Sequence, residues 1–205
     1  MHLLEDTRAL VRRHRSALLA IATGYVALFG LGVLATALVP ELRPGGLGAL
    51  QGGPEAEGVG GLITDAYRSG DVALAALVTF GVNLLSATLL QTTLPSLVIP
   101  FAGVAVTLVR GLSWGVLFTP FGQPDATFLV HWVTLAIEGA AYVVAGFAAW
   151  VHGRLWLQPT RFGHATRRAG YVAGLRATLL LSVAVVVLLA IGAIYEAITV
   201  IAIIA

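Results

Sequence analysis

Apolar positions fall in long unbroken blocks along this chain, not at the spacing of a half-buried strand or helix. A spanning helix needs roughly 20 mostly apolar residues to cross a hydrocarbon layer about 30 Å thick. The first block, Ser16 to Pro40, contains no charge. The preceding MHLLEDTRALVRRHR resembles a signal-peptide n-region, but the block exceeds an h-region of roughly 7–15 residues, so a retained anchor is expected. The uncharged stretch Val72–Val109 is too long for one straight span. Pro95 and Pro100 in QTTLPSLVIP divide it into spans at about Val72–Leu90 and Ser96–Phe118 joined by a tight turn, with a re-entrant hairpin as the competing arrangement. Further spans are expected at about Thr127–Val151 and Ala177–Ile203. The fold class is therefore all-α: a polytopic transmembrane bundle of about five spanning helices.

Composition agrees with the pattern. Of 205 residues, 58% are hydrophobic and 11% charged, against about 25% charged in soluble domains. Cysteine is absent, which excludes disulfides and thiol chemistry. A net charge of +2 is no nucleic-acid footprint. All 12 basic residues are arginine, and their positions are informative. Nine lie in segment 1–15 or in segment 153–176, two (Arg43 and Arg68) in the connector 41–71, and Arg110 in a span. Positive residues favour the cytoplasmic side, which predicts a cytoplasmic N-terminus and an extracytoplasmic C-terminus. In segment 41–71, GLITDAYR is a candidate surface helix, but the glycines favour a flexible connector. In the basic loop, Arg161, Arg167 and Arg168 are candidate contacts for anionic lipid phosphates, with Trp156, Phe162 and Tyr171 as interfacial rings; simple retention of the loop inside is the plainer reading.

Ionisable groups inside spans are costly and mark function or internal pairing. At 1.5 Å per residue, Glu138 lies about 16 Å below the outer surface and Arg110 about 21 Å above the inner one. Asn83 comes near the midplane, Glu196 lies towards the outer end of its span, and His131 stands two turns from Glu138 on the same face. Arg110, which keeps its proton, is expected to pair with Glu138, Glu196 or both. The polar cluster Asn83, Arg110, His131, Glu138 and Glu196 then reads either as a structural ion pair or as a pathway for ions or substrate. His131 reads as a helix-end residue; with no second histidine expected in a span, no metal site is predicted. Gly111-x-x-x-Gly115 and Gly170-x-x-x-Gly174 have the spacing that lets helix backbones approach, here expected within one subunit.

The segments FGVNLLSATLL around Asn83, RGLSWGVLF with Gly111 and Gly115, LAIEGAAYVVAGFAAW around Glu138 and AIGAIYEAITV around Glu196 resemble the stage II sporulation protein M family. The resemblance runs from about Val72 to the C-terminus. The chain departs from the family at Thr134, where a histidine would precede Glu138, and at Arg110, where an asparagine is frequent. It implies a polytopic membrane protein, without cofactor, that works as an oligomer or with other membrane proteins. The residues support a non-enzymatic scaffold or coupling subunit first. A transporter or channel lined by the polar cluster is second. An intramembrane enzyme is third, since no His-Glu-x-x-His helix or nucleotide loop is present.

Overall fold

The computed structural model describes residues 2–42, 59–120 and 126–204, and they are almost all helical, without a strand among them. Helix α1 (His2–Arg13) breaks at His14 into α2 (Arg15–Leu38). After a short helix α3 (Val59–Arg68) comes α4 (Val72–Gly81), continued by a π-helical stretch, Val82–Thr93, and then α5 (Leu94–Val98). The remaining helices are α6 (Ala102–Leu117), α7 (Ala126–Leu157) and α8 (Arg167–Ile204). Four stretches are long and apolar enough to cross a bilayer: Arg15–Leu38, Val72–Val98, His131–Leu157 and Arg167–Ile203. Helix α6, the remaining expected span, has 16 residues, about 24 Å of helix and so short of a full hydrocarbon crossing.

Several expected boundaries move. The stretch QTTLPSLVIP is no tight turn; the helix continues through Pro95 to Val98, and the chain reverses only at Ile99–Phe101. Pro95 stands in the first turn of α5, just after the π register ends, where a missing N–H is tolerated, and nearby hydroxyls add bonds to neighbouring carbonyls. Thr92 Oγ1 donates to the Ala87 carbonyl at 2.8 Å and Ser96 Oγ to the Thr92 carbonyl at 2.7 Å. Ser96 Oγ also accepts the Gly103 N–H at 2.7 Å, tying the two arms of the hairpin together. Phe101 takes a left-handed φ of 69° in the reversal, an uncommon state for a bulky residue; its ring covers Gly153 of α7.

The basic loop is also shorter than 153–176. Helix α7 runs on to Leu157 and α8 begins at Arg167, capped by Thr166 Oγ1 accepting the Ala169 N–H. Gly163, at φ +81°, marks the break, whereas Gly170 lies inside α8 against the Leu155 carbonyl. Segment 59–68 is not a loose connector: Ala66 and Tyr67 of α3 are buried against Ala75, Ala197 and Ile201. The portion 43–58 lies outside the described residues.

Helix α7 occupies the centre. Its apolar window is 67% buried, against 17% for α2 and for Val72–Val98. The reason is visible in EGAAYVVAGFAAWVHG, where Gly139, Gly146 and Gly153 recur every seven residues and so share one face. A methyl group at these positions would meet Tyr25 of α2, Thr107 of α6 and Phe101 of the hairpin turn, respectively. The opposite partner is α8, antiparallel to α7, with Gly174 against His152 and Gly192 against Ile137 and Glu138. Gly111 and Gly115 receive Tyr25 and Phe29 from α2, which runs parallel to α6. Both small-residue motifs thus pack helices within one chain.

This alternation brings both arginine-rich segments to one end of the bundle. There His14 rests on Trp150 and Phe162, and the Arg13 guanidinium lies 5.1 Å from the Phe162 ring centre. Phe162, Trp156 and Tyr171, expected as interfacial rings, are half-buried and pack on His14 or on His152. Burial, with Arg13 and Arg154 nearby, lowers the His14 pKa below its usual value.

Candidate intramembrane polar site

The five sequence-predicted residues fall into two pairs, Asn83 with Glu138 and His131 with Glu196, and a separately held Arg110. Glu138, on α7 beside Gly192 of α8, is 5% exposed. Its carboxylate accepts from Asn83 Nδ2 at 2.5 Å, and Asn83 Oδ1 accepts from the Tyr142 hydroxyl at 2.9 Å. Asn83 therefore spends both ends of its amide between α7's carboxylate and α7's phenol. The small residue at 192 is what lets α8 close over the Glu138 stem.

Arg110 is not paired with Glu138 or Glu196. From α6, Nη2 donates to the Ala87 carbonyl at 3.0 Å and to Gln91 Oε1 at 2.9 Å, and Nη1 to Thr92 Oγ1 at 3.3 Å. The guanidinium carbon stands 4.4 Å from the centre of the fully buried Tyr142 ring, a cation–π arrangement. Two features explain the difference. The antiparallel hairpin puts Arg110 level with residues 87–92, about one turn nearer the basic end than Asn83 and Glu138. Tyr142 then stands where a carboxylate was expected, its ring under the guanidinium and its hydroxyl on Asn83. Depth along a helix fixed the layer but not the direction in which the side chain points.

The partner in the π stretch follows from its register. Asn83, Thr88, Thr92 and Ser96 recur every four or five residues, which a helix closing i to i+5 keeps on one side. Thr88, Thr92 and Ser96 are buried, while Leu85, Leu89, Leu90 and Leu94 face outward. Gln91 is the exception: it lies on the exposed side, with its Nε2 donating to Ser86 Oγ at 3.3 Å.

At the end opposite the arginine-rich segments, His131 Nε2 is 3.4 Å from Glu196 Oε1, with side chains 30% and 15% exposed. His131, read as a helix-end residue, thus closes on α8, and Phe118 stacks on its ring. Tyr67 of α3 lies where the Glu196 charge acts on it, and its hydroxyl accepts from Thr79 Oγ1 at 3.3 Å. Burial, reinforced by the Glu196 charge, raises the Tyr67 phenol above its ordinary range. Glu138 and Glu196 are near enough for their charges to act on one another.

Three groups were missed in the sequence. Tyr142 and Tyr25 stand in apolar blocks with no spacing that reveals their roles. His152 lies one residue past the expected end of its span, contrary to the expectation of no second histidine; it is wholly buried among Trp156, Tyr171 and Gly174. No group of three metal-binding side chains occurs among the described residues. Arg161, Arg167 and Arg168 are exposed at the basic end. No protein-family model, curated protein or solved structure matches the chain.

Proposed function

We propose that the chain is a non-enzymatic subunit of a membrane complex, of the stage II sporulation protein M type, that scaffolds or couples its neighbours. The observation that supports this is Gln91. It is an amide on the outward face of a spanning helix, about 10 Å along the axis from the hairpin reversal, and Arg110 holds it from within. A polar group on a lipid-facing surface is costly, and side-chain amides in membranes serve as glue between helices. Arg110 and Ser86 take one bond at each end of the amide, and a transmembrane helix of a second copy or of another subunit would use the remaining N–H and lone pair and cover the amide from the lipid. The N-terminus and the arginine-rich end face the cytoplasm in this reading, Arg161, Arg167 and Arg168 lie on anionic lipid, and the C-terminus is outside. In nanodiscs formed directly from its own membrane, the wild-type chain should run as an oligomer or hetero-complex and Gln91→Leu as a single chain. A monomeric wild-type chain there contradicts the proposal.

A transport role is the second reading, favoured by the line of His131, Glu196 and Glu138 running inward from the end opposite the arginines. Ion flux in sealed liposomes, lost in Glu138→Ala, is its test.

A further inference from the structure

Helices α1 and α8 enclose a groove of about 460 Å³ at the basic end of the bundle. Its α1 wall is a stripe at helical spacing, Asp6, Leu10 and Arg13, and its α8 wall carries Arg176, Ala177 and Leu180. Helix α1 is held over α8 because Leu10 and Val11 pack on the buried cluster that includes Ala177 and Leu181. The break at His14, whose ring is fixed against Trp150 and Phe162, sets the direction in which α1 leaves α2.

The level of this groove is fixed by the chain itself. Arg13 lies just before the uncharged block that begins at Ser16, and Arg176 just before the apolar block that begins at Ala177. Both exposed arginines therefore stand where hydrocarbon gives way to lipid headgroups. The Arg13 guanidinium carbon lies 5.1 Å from the centre of the Phe162 ring, a contact that spends none of its N–H donors. Two arginines against one aspartate leave the groove with one net positive charge. Leu10, Ala177 and Leu180 give it an apolar side that offers nothing to a small inorganic ion but suits an acyl chain.

We infer that this groove binds one anionic phospholipid, its phosphodiester held between Arg13 and Arg176 and its acyl chains lying on Ala177 and Leu180. Planar guanidinium forks match phosphate oxygens in geometry as well as in charge. Asp6 stands two turns from Arg13 along α1, roughly 10 Å, and its carboxylate repels the phosphate and confines it to the arginine end. A lipid with one net negative charge answers the net charge of the groove, whereas a zwitterionic headgroup brings a further cation to two arginines. The site is distinct from Arg161, Arg167 and Arg168, because it joins two segments distant in sequence over an apolar floor. It is also independent of whether the Gln91 face meets a partner and of which side of the membrane the basic end faces.

Native mass spectrometry tests the site on the full chain in a neutral detergent, titrated with phosphatidylglycerol or with phosphatidylcholine. The wild type should hold one phosphatidylglycerol in preference to phosphatidylcholine, and inorganic phosphate should not displace it. Arg176→Gln should weaken that binding about fivefold, the loss of one near-surface arginine, and Arg13→Gln by a similar factor. Asp6→Asn should strengthen it. Arg167→Gln, two and a half turns from Arg176 and so on the far side of α8, should leave it unchanged. Four results overturn the site: no preference for phosphatidylglycerol, displacement by phosphate, an Arg176→Gln titration identical to wild type, or an equal loss in Arg167→Gln. Weaker binding in Asp6→Asn would place an ammonium headgroup there and overturn the anionic assignment.

Discussion

Arg110 and Glu138 are buried ionisable groups in neighbouring layers of one bundle, yet their surroundings are opposite in kind. The arginine is saturated: three hydrogen bonds and an aromatic face enclose it, all supplied by the π stretch and Tyr142. The glutamate has a single hydrogen-bond donor, the neutral Asn83 amide, and the charge of Glu196 acts on it. A group whose partners are all fixed can only hold helices together. One with a single neutral donor keeps bonding capacity that no described helix neighbour uses. The comparison teaches that burial in a membrane span does not by itself separate structural from functional residues; the completeness of the partner set does.

The largest effect should come from the saturated side. Arg110→Ala leaves the Ala87 carbonyl's second acceptor site, Gln91 and Thr92 without their donor, and should cost about 3 kcal/mol, read from unfolding in mixed detergent micelles. Arg110→Lys, which cannot reproduce the planar fork, should recover only part of it.

Packing of α7 comes next. A methyl at Gly146 would stand 2.6 Å from Thr107 Oγ1, whereas nothing lies within 4 Å of one at Gly30. Gly146→Ala should therefore lower stability by about 1–2 kcal/mol, and Gly30→Ala should leave the midpoint unchanged or slightly raised. Equal effects of the two would show that α7 is not the close-packed centre.

Much of this was legible in advance. Apolar blocks located α2, α7 and α8, since block length is what a hydrocarbon layer selects, and arginine positions identified the basic end. What was not legible depended on azimuth and register. The π stretch reads as ordinary apolar helix, and only the four- and five-residue spacing of Asn83, Thr88, Thr92 and Ser96 hints otherwise. Pro95 suggested a turn because sequence shows the donor it lacks, but not the change of register just before it that puts the proline in the first turn of α5. The partner of Arg110 was misjudged because three carbonyl and side-chain acceptors can replace a carboxylate. In α3, the glycines hid a helix that tertiary contacts from Ala66 and Tyr67 hold in place.

The smallest expected effect concerns His14 at the basic end. Its pKa is lowered in the folded chain, so the unfolded chain binds a proton first. Its contribution is present above the ordinary value of 6.5 and is lost as pH falls below it. The melting temperature of the wild type should therefore drop more between neutral and mildly acidic pH than that of His14→Phe. Parallel profiles would remove His14 from the pH response.

The contrast between the two buried groups is tested most directly by a double-mutant cycle on Arg110 and Glu138, using Arg110→Ala, Glu138→Gln and the combined variant, with unfolding free energy as the readout. Joined through Tyr142 and Asn83 without a direct hydrogen bond, the two groups should couple by about 1 kcal/mol. A coupling of about 3 kcal/mol or more, as for a broken buried ion pair, would contradict the account and return Arg110 to the carboxylate.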